Sequence, residues 1–126
     1  MARVLLAGID PDQVDFADPA LPPGLDADKI RAGVDAVLEQ LKAAGHQPVH
    51  LYIDADPAHL QPFADHIAAE PVDCVVIGGG VTRPPANMRL LEAMLNIIAQ
   101  ATPTPKIALV STPQEATQAV QRALAL

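Results

Sequence analysis

Four apolar runs of strand length punctuate the chain: RVLLAGI at 3–9, VHLYI at 49–53, DCVVIG at 73–78 and KIALVS at 106–111. Each is followed by residues with a helical repeat. Over 26–44, Ile30, Val34, Val37, Leu38 and Leu41 share one face, with Asp26 or Asp28 as the cap and Gly45 as the stop. Over 57–69, Asp56 suits the N-cap and Pro57 the first helical position, and Leu60, Phe63, Ala64 and Ile67 form the buried face. Pro62 falls inside this segment and predicts a kink or a split there. Over 85–101, Met88, Leu91, Leu95 and Ile98 form one stripe with Leu90, Met94 and Ile97 beside it, leaving Arg89, Glu92, Asn96 and Gln100 for solvent. The last helix, 113–125, is rich in alanine and opens with Thr112 and Glu115 at capping-box spacing.

Strands that alternate with helices predict a parallel sheet joined by right-handed crossovers and covered on both faces. Strands that are apolar almost throughout agree with burial on both sides. The fold class is therefore α/β: a three-layer αβα sandwich on a four-stranded parallel sheet of order 2-1-3-4, the flavodoxin, receiver or Rossmann-like style of winding. At 126 residues and half apolar, the chain has the size and the core material of one domain over 1–126. No internal repeat, low-complexity tract or linker interrupts it. The helix over 85–101 has a wider apolar surface than packing on a sheet requires, so it is either the contact face of a homodimer or covered by neighbouring helices.

Composition narrows the classes of function. Eight basic against fifteen acidic residues give a net charge of -7, which repels a phosphate backbone over most of the surface and argues against nucleic-acid binding. Phe16, Tyr52 and Phe63 are the aromatic residues, too few for a base-stacking platform or for rings packed on a flavin. Cys74 lies within an apolar run and behaves as a small hydrophobe, so neither a disulfide framework nor a zinc cluster is available. The first residues, MARVLLAGIDPD, are too short in apolar length for a signal sequence or a membrane span, and the expected location is cytoplasmic.

In open α/β sheets ligands bind beyond the carboxyl ends of the strands, where the strand order reverses. For the order 2-1-3-4 that point lies between the loops after the first and third strands. Both loops are unusual. The first, DPDQVDFADPALPPGL at 10–25, is about three times the median connection length. The second carries Gly78, Gly79 and Gly80 with Arg83 close behind. A P-loop needs Lys and Ser or Thr after its last glycine, where this chain has Val81 and Thr82. A dinucleotide fingerprint starting at Gly78 needs its third glycine at Arg83 and belongs after the first strand. Neither motif is met. Glycine N–H groups, a helix N-terminus and Arg83 can still attract an anion together, with Asp10 on the facing loop. The alternative is that the glycines supply positive φ and a close passage past the first loop.

Asp10 and Asp12 follow the first strand, with Asp54 and Asp56 ending the second, and such carboxylates could hold magnesium. The IDPD at 9–12 resembles the nucleophile motif of haloacid-dehalogenase-type phosphatases, which implies Asp10 as nucleophile and Asp12 as acid/base. The departures are that LVST at 109–112 comes at the end of the chain, Lys106 precedes it and no later acidic pair follows. The alternative for these aspartates is to begin turns and cap helices. Length and winding resemble a response-regulator receiver domain. Where receivers carry a phosphorylated aspartate at the end of the third strand this chain has Gly78–Gly80, and no fifth strand with a following lysine is evident. VDFADPALPPGL is similar to a segment in short uncharacterised bacterial α/β proteins, a resemblance that implies no activity.

His59 and His66 lie two turns apart, roughly 10 Å by helix rise, too far to share one metal without further ligands. His46 and His50 flank the start of the second strand, at the end away from the expected site, and all four histidines suit surface or packing roles. Ser111 and Thr112 end the fourth strand near the site, Thr112 being accounted for by capping. The expected function is a module without catalysis of its own that binds a small anion or a partner protein through the first and third loops. No cofactor is expected in that reading. The alternative is a magnesium-dependent phosphoryl-transfer or hydrolytic enzyme using Asp10 and Asp12.

Overall fold

The computed structural model describes residues 2–126. The four strands are β1 (Arg3–Ile9), β2 (Gln47–Ile53), β3 (Cys74–Ile77) and β4 (Lys106–Leu109), all parallel in the order β2-β1-β3-β4. The helices are α1 (Ala27–Ala43), α2 (Gln61–Ala69), α3 (Gly79–Thr82), α4 (Met88–Ala99) and α5 (Ala116–Leu124). Strand alternation divides the core in two. Leu5, Ala7, Ile9, Val75 and Ile77 face Phe63, Ile67, Leu90, Met94 and Ile98 of α2 and α4, with Val81 of α3. Val4, Leu6, Cys74, Val76 and Ala108 face Val37 and Leu41 of α1 and the alanine-rich side of α5. The small residues Ala116, Ala119 and Ala123 let α5 lie close to the sheet.

Local chemistry accounts for the boundaries. Asp26 caps α1 by accepting from the Lys29 amide at 2.8 Å, and Gly45 leaves the helix with φ 91°, a left-handed conformation that glycine adopts without strain. Pro62 splits the second helical segment as its ring requires: Pro57–His59 form a separate 3-10 turn capped by Asp56, and α2 begins at Gln61 with Pro62 in its first turn. The third and fourth helical segments likewise open with 3-10 turns, at Pro85–Asn87 and Pro113–Glu115. The Glu115 carboxylate accepts from the amides of Ser111 and Thr112, which holds its pKa below the ordinary value. β2 starts two residues earlier than its apolar run. Pro48 is tolerated there because β2 is an edge strand.

Much of the wide apolar surface of α4 packs within the chain itself. Leu90, Met94 and Ile98 are fully buried, and Leu91, Leu95 and Ile97 are partly buried against the same core, while Met88 remains 61% exposed. At the other edge, Ile107 and Leu109 of β4 are 37% and 44% exposed. Among the described residues no helix is long and apolar enough to cross a membrane.

Candidate functional site

The loop over 10–25 is an ordered strap. Asp10, Asp15 and Asp18 each accept, through the side chain, from the amide two residues on, at 2.9, 3.0 and 2.9 Å. These are Asx turns, in which a short carboxylate replaces a backbone carbonyl and tightens the chain. Leu21 is buried under the strap, and Gly24 turns it with φ 77°. Two cations then hold backbone carbonyls of the strap. Lys29 Nζ, on the first turn of α1, donates to the Gly24 carbonyl at 2.6 Å. Arg83 Nε, just past α3, donates to the Ala20 carbonyl at 2.9 Å, and its Nη1 reaches the Ser111 carbonyl at 3.4 Å.

Beneath the strap, at the carboxyl ends of β1 and β3, lies a cavity of about 330 Å³. It occupies the point where the strand order reverses. Its clearest cause is the missing side chain at Gly8 of β1. On the α1 side of the sheet Leu6 is followed by Gly8, paired in register with Tyr52, and Val76 is followed by Gly78. Across the gap, α1 presents Gly33 between Ile30 and Val37. A Cβ built on Gly8 would meet nothing within 4 Å, so the strand leaves open space where a side chain would normally pack. Leu21, Leu25, Val34 and Val110 complete the apolar wall. Lys29 and Arg83 are the charged side chains lining it, no carboxylate does, and neither cation forms a salt bridge among the described residues.

The expected site residues separate into two groups. Gly78, Gly79, Gly80 and Arg83 line the cavity, together with Ser111 and Thr112. Asp10 and Asp12 do not. Asp10 caps the 3-10 turn at Pro11–Gln13, while Asp12 pairs with Arg31 at 3.0 Å. Asp54 accepts from the Asp56 amide, which lowers its pKa, and Asp56 accepts from the Ala58 amide. Among the described residues no group of three or more His, Cys, Asp or Glu side chains converges as a metal set would.

Two expectations need correction. The three glycines do not supply positive φ, which in this chain occurs at Gly24 and Gly45. Instead Gly78 caps a helical turn that Gly79 and Gly80 begin, and the close passage is past the end of β4. A Cβ on Gly79 would overlap the Ser111 carbonyl oxygen and lie 2.9 Å from its carbon. His50, in turn, is not remote from the site. Because β2 begins at Gln47, His50 stands at mid-strand opposite Leu6 and lines the cavity floor with Tyr52, their rings edge to face at 4.0 Å. Its Nε2 is buried without a hydrogen-bond partner in the described structure, and burial lowers its pKa. Burial likewise raises the Tyr52 pKa.

Gly8, Gly33, Lys29, His50 and Tyr52 are the wall residues that sequence reasoning passed over. One signal was available: a glycine inside an apolar strand marks a bulge or a close approach by another group. Neither a family model, nor a curated protein, nor a solved structure matches this chain.

Proposed function

We propose that this chain is a non-catalytic module that binds a small anion at the loops after β1 and β3. The observation carrying this reading is the cationic lining of the cavity, Lys29 and Arg83 without a carboxylate, in a chain of net charge -7. A cleft with walls of low polarity focuses the field of the charges it contains, so its local potential can oppose that of the molecule. Both cations retain donors. Lysine has three N–H groups and arginine five; Lys29 uses one on the strap, and Arg83 uses one on the strap and one on the Ser111 carbonyl.

Of the groups near the cavity that could act chemically, Ser111 and Asp10 are engaged in caps, while the His50 Nε2 has no partner in the described structure. The Ser111 hydroxyl lies 3.1 Å from both Glu115 carboxylate oxygens, in the cluster that caps the chain before α5. Asp10 caps its own turn.

The test is calorimetric titration and thermal unfolding with acetate, phosphate and sulfate at constant ionic strength. An anion at a hundred times its Kd adds about 2.7 kcal/mol, a shift of several degrees for a domain of this size. Lys29→Met should weaken the effect at least tenfold, while Arg83→Lys, which keeps the charge, should weaken it less. No saturable binding by any of the three anions would overturn the reading and leave protein interaction as the use of this surface.

A further inference from the structure

We infer that the anion bound here is the head of an amphipathic molecule, whose apolar body fills the cavity between α1 and the sheet. This rests on the anion-binding reading above and adds the chemistry of the rest of the ligand. The two cations are placed at one side of the cavity, where they hold the strap at Ala20 and Gly24. Away from them the wall is Leu6, Val34 and Val37, and beside His50 and Tyr52 the floor is the bare backbone of Gly8. A free inorganic anion would occupy the cationic side and leave the rest as an apolar void. Protein interiors pack without voids of that size. At about the 30 Å³ that a water molecule occupies in the liquid, 330 Å³ has room for at least about ten non-hydrogen atoms. The volume also falls in the range of small-ligand pockets, which combine apolar walls with a few orienting polar groups.

The polar groups fit this division. Lys29 and Arg83 can hold a carboxylate or a phosphate ester, which are equivalent for this purpose. His50 and Tyr52 bound the cavity beside Gly8 with ring faces and edges, and the buried His50 Nε2 lacks a partner. A mainly apolar body suits the ring surface, and one hydrogen-bonding group on it would satisfy the His50 Nε2.

The experiment separates charge from apolar length by titrating the full chain calorimetrically with acetate, octanoate, octyl phosphate and 1-octanol. Each buried methylene contributes about fourfold in affinity, and six separate octanoate from acetate. The expected result is octanoate at least a hundredfold tighter than acetate and at least tenfold tighter than 1-octanol, with octyl phosphate comparable to octanoate or tighter. Gly8→Val fills the cavity without a clash at Cβ, and far-UV circular dichroism and the urea midpoint establish that it folds. In that variant the gain from chain length should vanish while acetate still binds. Equal affinities for acetate and octanoate, or octanoate binding unchanged by Gly8→Val, would overturn the amphipathic ligand and leave the anion site standing. Octanol binding as tightly as octanoate, insensitive to Lys29→Met, would overturn the anion site and this inference with it. No binding by any of the four probes would overturn both.

Discussion

One methyl group added to Gly79 would be driven against the Ser111 carbonyl, whereas the same methyl on Gly80 meets nothing within 4 Å. Both positions lie in the short helix α3 at negative φ, where alanine is the better former. Gly79→Ala should therefore destabilise the fold by about 1–3 kcal/mol through overpacking, and Gly80→Ala should stabilise it by about 0.5–1 kcal/mol. Urea unfolding of the two variants checks the pair, and equal effects would show that the close passage at β4 does not constrain Gly79. The contrast also marks how far a glycine run can be read from sequence. GGG at 78–80 announces an unusual backbone, but which glycine is needed for space depends on where Ser111 arrives, thirty residues further on. His50 gives a second measurement at this scale. Burial holds its folded pKa below the ordinary 6.5. Above pH 6.5 both folded and unfolded chains leave it neutral. As the pH falls below 6.5 the unfolded chain takes up a proton that the fold resists. Stability thus declines toward the folded pKa and then levels off. The urea midpoint should fall between about pH 7 and pH 5, and His50→Gln should flatten that slope.

The elements themselves were largely legible, because each depends on neighbours within one or two turns. Asp26 and Gly45 bracket α1, and the prolines at 57 and 62 divide the second helical segment. The strap was legible only as an anomaly. Its order comes from three aspartates bonding their own backbone and from Lys29 close by, which the local sequence suggests, and from Arg83 on a distant element, which it does not. For α4 the apolar repeat identified the helix but not which stripe points inward. That was decided by the sheet, which buries Leu90, Met94 and Ile98. Met94→Ala should cost about 2–5 kcal/mol, and Met88→Ala should stay within about 0.5 kcal/mol. Chemical denaturation of both variants tests the assignment. A large loss at Met88 together with a halved mass by light scattering would show that α4 serves a dimer instead.

At the scale of the molecule, strand order was readable because βα alternation permits few windings, and β2-β1-β3-β4 is the economical one. The cavity was not readable, since its lining comes from β1, β2, α1 and the segments after β3 and β4, which only the fold brings together. Only the end of the sheet where it lies could be anticipated, from the reversal of strand order. The same order has a consequence for how the chain is made. β1 is an interior strand, but its partner on one side, β3, begins sixty-five residues after β1 ends. At roughly 5–20 residues per second, a ribosome takes about 3–13 s to supply it. Meanwhile one flank of an apolar strand has no partner. A fragment stopping at residue 72 should therefore unfold without a cooperative transition and should sediment with aggregates, and a soluble, cooperative fragment would refute this. Early in synthesis, then, the strand that later anchors the sheet is the part most exposed to misassociation, and the point at which a nascent-chain chaperone would have most effect.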